Sequence, residues 1–100
     1  MSYKIEFHPA VAIDYNDAFE WYEQQKGGLG EEFIQSLNDK FDDIILNPFA
    51  FGQRSKIGYR EAKVKKFPYS IIYKIYVRKK IVFVSAIHHT SRNPRKKYRK

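Results

Sequence analysis

The residues best suited to acid–base chemistry lie near the C-terminal end of the sequence. In "AIHHTSRNPRKKYRK", residues 86–100, His89 is followed by Arg92 and then by Pro94. An imidazole titrates near neutral pH and can donate or accept a proton, and a guanidinium can stabilise a phosphate whose charge rises. Strand cleavage next to a ribose 2′-hydroxyl needs both kinds of group. His89 and Arg92 are therefore candidate catalytic residues. The alternative for His89 is a structural, hydrogen-bonded residue.

A second group of residues is suited to binding phosphates or carboxylates. The segment "YREAKVKKF" alternates basic and apolar residues, and the last residues of the sequence are densely basic. Such cations contact the backbone of a nucleic acid or an acidic protein segment. The candidates for this contact are Lys63, Lys65, Lys66, Arg92, Arg95, Lys96, Lys97 and Arg99. The alternative is an unusually basic, solvated surface.

Charge is segregated along the chain. Residues 1–61 contain all eleven acids and six basic residues, a formal charge of −5, whereas residues 62–100 contain thirteen basic residues and no acid. A field of one sign attracts a polyanion or an acidic protein, and such binding weakens with salt. The distribution therefore favours a nucleic acid or an acidic partner.

Composition excludes several other classes of protein. A sequence of 100 residues with 43% hydrophobic residues predicts a single globular domain over residues 1–100, with 95–100 as a flexible basic tail. The absence of cysteine excludes disulfides and thiolate metal sites, and three histidines give weak support for a metal, so we expect neither metal nor cofactor. We see no signal peptide or long apolar run, which predicts a cytoplasmic protein without membrane contact.

Periodicity in the first half predicts a strand and two helices. Residues 3–8 alternate as a half-exposed strand, and the apolar residues of 9–25 recur at helical spacing after Pro9. "KGGLG" predicts a tight corner, because its glycines permit positive φ. A second helix should follow and end at Asn47–Pro48.

The second half predicts three strands. After a loop over residues 49–58, strands are expected at 59–67, 69–77 and 81–88, with the last two central because they are almost continuously apolar. The order β-α-α-β-β-β indicates an α+β fold, in which a helical hairpin packs on one face of a mainly antiparallel sheet. Some aromatic side chains of these strands could stack on bases, but their spacing favours a core role: Tyr69, Tyr73, Tyr76 and Phe83.

Three stretches in this order carry a resemblance: "WYEQQKGGLGEEF", "VKKFPYSIIYKI" and "AIHHTSRNP". Together they resemble the RelE/ParE superfamily of toxins from bacterial type II toxin–antitoxin systems, over nearly the whole chain. The resemblance implies the β-α-α-β-β-β fold, arrest of growth and a role in plasmid stabilisation. It also implies neutralisation by a cognate antitoxin in a higher-order complex. His89 and Arg92 match the family's "HxxRxP" pattern, and Arg60 matches a strand arginine of its functional face.

The superfamily implies two actions. RelE-like members are ribosome-dependent mRNA endonucleases, for which His89, Arg60 and Arg92 would be the catalytic residues. ParE-like members inhibit DNA gyrase and are not enzymes. RelE-like nucleases typically carry an arginine after the tyrosine of the strand matching "YSIIYKI", but this chain has Ser70. Because a serine cannot supply that charge, ParE-like inhibition is preferred. Two alternatives stay open: an inactivated member, and a non-toxic nucleic-acid-binding module with the same fold.

Overall fold

The computed structural model describes residues 3–52, 58–91 and 99. The order of elements is the predicted β-α-α-β-β-β, with a 3-10 helix inserted after the second helix. In chain order the elements are β1 (Lys4–Phe7), α1 (Val11–Gln25), α2 (Leu29–Leu46), a 3-10 helix (Pro48–Ala50), β2 (Arg60–Lys63), β3 (Tyr69–Tyr76) and β4 (Ile81–His89). Neither described helix is long and apolar enough to cross a bilayer.

The four strands form one sheet in the order β1-β4-β3-β2. The two central strands are β3 and β4, as predicted, and both β3 pairings are antiparallel. The pairing of β1 with β4 is parallel and extends only from Lys4 opposite Ile81 to Phe7 opposite Val84. Among the described residues, the last part of β4 therefore has no neighbouring strand on that side. A β-bulge, where the register shifts between Ile72 and Tyr73, adds local twist at this point.

The prediction for β2 was too long. The strand ends at Lys63 rather than at residue 67, and residues 65–68 form a turn in which Lys66 has a φ of 71°. The chain reverses here because the N–H of Val64 donates to the carbonyl of Tyr69 at 2.9 Å, which closes a hairpin. Alternation of apolar and basic residues runs from Ala62 to Lys65, the first residue of the turn, and concealed where the strand ends.

Glycine makes the corner between the helices possible. Gly28 has a φ of 89°, in the left-handed region that favours glycine. A Cβ on Gly30 would lie 2.7 Å from the Cγ of Glu23 and 2.9 Å from the ring of Phe19, so only glycine allows this close approach. The carboxylate of Glu23 accepts the N–H groups of both glycines, at 3.0 and 2.8 Å. The tight corner is thus confirmed.

The helices pack on one face of the sheet. Apolar side chains of both helices meet one face of the central strands in a continuous core that includes Phe33, Leu37, Ile71, Tyr73, Val82 and Val84. The opposite side, here called the open face, carries the small buried cluster of Tyr59, Ile72 and Ala86. Alternation along β3 and β4 therefore assigns each side chain either to the core or to the open face.

Candidate functional site

His89 ends β4 on the helix-facing side of the sheet. It lies opposite Tyr69 in the register, and the two rings pack edge to face with centroids 5.0 Å apart. Its Nδ1 atom accepts the backbone N–H of Ser91 at 3.1 Å and lies 2.8 Å from the Ser91 hydroxyl. Because a backbone N–H only donates, Nδ1 carries no proton and the ring proton lies on Nε2.

This tautomer limits the chemistry of His89. The lone pair that a general base needs is already engaged by Ser91. The Nε2–H group remains a donor, suited to a phosphate oxygen or to a leaving oxygen. His89 is thus positioned as a hydrogen-bond donor rather than as a base, and action as a general acid would need a second ring proton on Nδ1 and loss of the Ser91 contact.

His88 points to the other side of the sheet from His89, because neighbouring residues of a strand face opposite sides. It lies opposite Ser70 in the register and is 5% exposed. Ser70 is 1% exposed and also pairs with Lys63 of β2. Ser70 occupies the position at which the resemblance leads us to expect an arginine in RelE-like nucleases. This position is therefore buried and uncharged in this chain.

A cleft of about 330 Å³ lies beside His89, between α1 and the unpaired end of β4. It is lined by two acids of α1, by side chains at the ends of β3 and β4, and by one residue near the C-terminal end: Asp14, Asp17, Tyr69, His88, His89 and Arg99. Among the described residues, no three histidine and acidic side chains are grouped closely enough to hold a metal ion. The cleft therefore offers donors and carboxylates to a polar group.

Arg99 is anchored across this cleft. Its guanidinium makes a two-pronged contact with Asp14, at 2.6 and 3.0 Å, and its backbone N–H donates to the hydroxyl of Ser85 at 2.6 Å. Its carbonyl accepts the hydroxyl of Tyr59 at 2.8 Å. Arg99, which lies within the predicted tail, is thus held against the fold, and its charge is already matched by Asp14. Residues 95–98 and 100 lie outside the described part.

Sequence reasoning missed the role of Asp14, although a signal was present. Asp14 stands three residues after Val11 and four before Ala18, both buried, so it lies on the inward face of α1. A carboxylate on an inward face needs a partner. Besides Arg99, Asp14 accepts the N–H of Ile87 at 3.1 Å, which satisfies the edge of β4 where β1 ends.

Arg60 does not join His89. Its guanidinium donates to the carbonyl of Phe51 at 2.5 Å and lies 5.3 Å from the ring centroid of Phe49. Arg60 pairs with Tyr73, four residues along β3 from the partner of His89, a separation of roughly 13 Å along the strand. Arg60 thus ties the 3-10 helix segment to β2, and the structure does not group it with the predicted catalytic histidine.

Lys63, Lys65 and Lys66 are exposed at the same end of the sheet as His89. The link is the turn between β2 and β3, where the N–H of Thr90 donates to the carbonyl of Pro68 at 2.9 Å. Lys65 and Lys66 face acids of α2 across a cleft of about 310 Å³, which is also lined by Glu32, Asp39 and Asp43. The remaining predicted site residues, Arg92, Arg95, Lys96 and Lys97, lie outside the described residues.

Burial perturbs the acidity of Tyr22, Tyr59 and Tyr73, which do not line the cleft beside His89. Burial raises the pKa of Tyr73 to about 12, and its hydroxyl donates to the carbonyl of Pro48 at 2.7 Å. Burial also raises the pKa of Tyr22 and of Tyr59 above 10.0. These hydroxyls stay protonated at neutral pH and support the fold rather than proton transfer.

Comparison with solved structures defines the class of fold. A chain of the chromosomal ParDE TA system from P. aeruginosa is similar with a TM-score of 0.76, at 14% identity over 89% of this chain and 97% of that chain. A double mutant of the E. coli toxin RelE in the free state gives 0.68, at 18% identity over 91% and 86%. The isolated E. coli RelE toxin gives 0.56, at 18% identity over 91% and 87%. The fold is thus that of the RelE/ParE superfamily.

The sequence narrows this class to a family. Residues 5–94 match the model of the ParE toxin of the type II toxin–antitoxin system parDE. The chain therefore belongs to the ParE toxin family, which confirms the predicted superfamily and a cognate antitoxin as partner. A search of curated proteins gave no significant match.

Proposed function

We propose that this chain arrests growth by ParE-like inhibition of a target, with DNA gyrase as that target, rather than by cutting RNA. The observation that carries the proposal is that the described side chains that a nuclease would need are buried, uncharged or already bound within the fold. Ser70 is buried and neutral, Arg60 is bound to the 3-10 helix segment, and Nδ1 of His89 is already hydrogen-bonded. Within the described residues, the arginine nearest His89 is Arg99, whose charge is matched by Asp14.

The rival function is RelE-like, ribosome-dependent cleavage of mRNA. One observation favours it: the exposed Lys63, Lys65 and Lys66 lie at the same end of the sheet as His89. Lysines could hold a phosphate while the Nε2–H of His89 donates a hydrogen bond to the leaving oxygen. This arrangement would still require a separate base for the 2′-hydroxyl.

One experiment separates the two functions. The toxin is induced in cells, and the 5′ ends of messenger RNAs and the supercoiling of a reporter plasmid are measured in the same culture. Inhibition of gyrase predicts relaxed or broken plasmid DNA with intact messages. Cuts at fixed codon positions with unchanged supercoiling would refute the proposal. Unchanged growth would favour an inactivated member or a non-toxic nucleic-acid-binding module.

Substitution of His89 tests the same question within the chain. If the toxin is an inhibitor, His89→Gln should retain toxicity, because the amide can replace the hydrogen bonds but cannot exchange a proton near pH 7. Replacing Arg95, Lys96 and Lys97 together by Gln should reduce toxicity if the basic tail of residues 95–100 binds the target. This triple change keeps the Arg99 anchor, which a truncation would remove. A folded, antitoxin-binding, non-toxic His89→Gln protein would overturn the ParE-like proposal.

We propose that the antitoxin lays an apolar helix on the helical hairpin. A cleft of about 430 Å³, lined largely by apolar side chains, lies where α1 and α2 approach the end of β1, and it includes Phe7, Val11, Ala12, Tyr15 and Phe41. It is continued along the hairpin by a second depression that includes Phe19 and Ile34. Apolar grooves between helices accept amphipathic helices.

An acidic part of the antitoxin should then reach the basic strands. Reversing the charges of Lys63, Lys65 and Lys66 to Glu should weaken the complex and flatten its salt dependence, because the electrostatic attraction is lost. The matched control reverses Arg78, Lys79 and Lys80 to Glu, because these three cations are exposed at the opposite end of the sheet. If high salt neither weakens the complex nor speeds its dissociation, the electrostatic part of the proposal is wrong.

A further inference from the structure

The turn between β3 and β4 forms a basic tip at the end of the sheet opposite His89. The hairpin tip, defined here as residues 76–81, begins and ends with the paired Tyr76 and Ile81. The N–H of Lys80 donates to the carbonyl of Val77 at 3.2 Å, which closes the turn. Ile81 and His89 are eight residues apart along β4, so the tip lies roughly 25 Å from the histidine end.

Cations dominate this end of the sheet. Arg78, Lys79 and Lys80 are consecutive and exposed, and Lys4 lies beside them opposite Ile81. The nearest acid in the register is Glu6, opposite Phe83. None of the three turn cations forms an ion pair with a described acid. Unlike Lys65 and Lys66, they do not face the acidic helix α2.

Aromatic rings lie on the open face next to these cations. Tyr76 is 42% exposed, which corrects the prediction that it belongs to the core, and its ring contacts Phe83 at 6.4 Å between centroids. The ammonium of Lys74 lies 5.3 Å from the ring centroid of Tyr59 and 6.0 Å from that of Tyr76. The ammonium of Lys80 lies 5.4 Å from the ring centroid of Tyr3. Tyr59 is buried and Tyr3 packs against the core on the helix side, so the exposed ring that these cations flank on the open face is Tyr76.

We propose that the hairpin tip and the adjoining open face bind a single-stranded nucleic acid. The turn cations contact the phosphates, and Tyr76 stacks on a base. A nucleic acid would explain both features of this surface, because its phosphates attract the cations and its bases stack on the exposed ring beside them. A duplex hides its base faces inside the stack, so a ring exposed on a sheet surface favours an unpaired strand. The inference goes beyond gyrase inhibition and does not depend on it.

The test uses the purified full chain and a fluorescein-labelled 12-nucleotide single strand, followed by fluorescence anisotropy between 50 and 200 mM salt. Lys79→Gln is compared with Lys26→Gln, which has the same net charge but removes a cation from the other end of the molecule. Lys79→Gln should weaken binding several-fold and reduce the salt slope by about 0.7, the value for one phosphate contact on a single strand. Lys26→Gln should change neither quantity.

A second variant tests stacking. Tyr76→Leu keeps an apolar side chain but removes the ring, so affinity for the single strand should fall about tenfold, as it does when a stacked base loses its platform. Affinity for a duplex of the same length should be lower and should not respond to this change. Thermal melting of each variant confirms that the fold is retained.

Three results would overturn the proposal. The first is an equal loss of affinity in Lys26→Gln and Lys79→Gln, which would show attraction by net charge alone. The second is tighter binding of the duplex with no effect of Tyr76→Leu. The third is the absence of measurable binding of the wild-type chain at 50 mM salt, which would leave an acidic protein as the partner of this surface.

Discussion

Breaking the contact between Asp14 and Arg99 should destabilise the fold, although Arg99 is the penultimate residue of the sequence. Their side chains are 17% and 19% exposed, so the pair lies between a surface pair and a buried one. An exposed pair contributes about 0–1 kcal/mol, and breaking a fully buried pair costs about 3–5 kcal/mol. Asp14 also accepts a hydrogen bond from the N–H of Ile87. Leaving that buried N–H without an acceptor costs about 1–3 kcal/mol.

The two single variants should therefore differ. Asp14→Ala leaves both the guanidinium and the Ile87 N–H without an acceptor, and we expect a loss of about 2 kcal/mol in the free energy of unfolding. Arg99→Ala leaves Asp14 able to accept from Ile87 and water, and the expected loss is about 1 kcal/mol. In a domain of this size these losses lower Tm by about 8–15 °C and about 4–8 °C.

The assay is chemical denaturation followed by circular dichroism, completed as a double-mutant cycle. The double variant should be less destabilised than the sum of the single variants by about 1 kcal/mol, since the pair can be broken only once. Asp17→Ala is the control, because Asp17 is exposed on the same helix and lines the same cleft. Additive losses, or an equal loss in the control, would refute the proposed anchor.

Three further predictions follow from single residues. Burial raises the pKa of Tyr73 from 10.0 to about 12, so its contribution to stability should be constant below pH 10 and should fall by roughly 2 kcal/mol as pH rises to 12. Tyr73→Phe should remove this contribution in pH-dependent denaturation, leaving the part due to Tyr22 and Tyr59, while costing about 1 kcal/mol at pH 8. Lys66→Gly should relieve the positive φ and raise stability by about 0.5–1 kcal/mol. An unchanged Tm in this variant would contradict the prediction. Gly30→Ala should cost about 1–3 kcal/mol in urea titrations, whereas Gly27→Ala, where a Cβ meets nothing within 4 Å, should be nearly neutral.

The sequence predicts element types more fully than contacts between elements. The two helices and the central position of β3 and β4 follow from apolar periodicity, because each pattern reflects which face is buried. The parallel pairing of β1 with β4 has no such signal, since an alternating strand reads the same whichever neighbour it joins. The early end of β2 was hidden because the turn begins with Lys65 and Lys66 and contains no glycine, and its proline, Pro68, comes only at its last position.

Side-chain roles were harder to predict for the same reason. Arg60 and Arg99 look alike in the sequence, as cations available to a partner, yet each is bound within the fold. Arg60 contacts the carbonyl of Phe51, and Arg99 contacts a carboxylate 85 residues away along the chain. Contacts over such a separation depend on the packing of α1 against β4, which no local pattern encodes.

The structure also changes where the basic half of the sequence can attract a polyanion. Counted along the chain, Lys65 and Lys66 belong to an acid-free segment, but in space they face Glu32, Asp39 and Asp43 of α2. Opposite charges this close weaken the field at that end of the sheet. The turn at Arg78–Lys80 faces no such acids among the described residues, so its field is the less compensated one. An antitoxin that covers only the helices and the β2–β3 turn would therefore leave the hairpin tip accessible, and the tip should bind nucleic acid equally well in the free toxin and in such a complex.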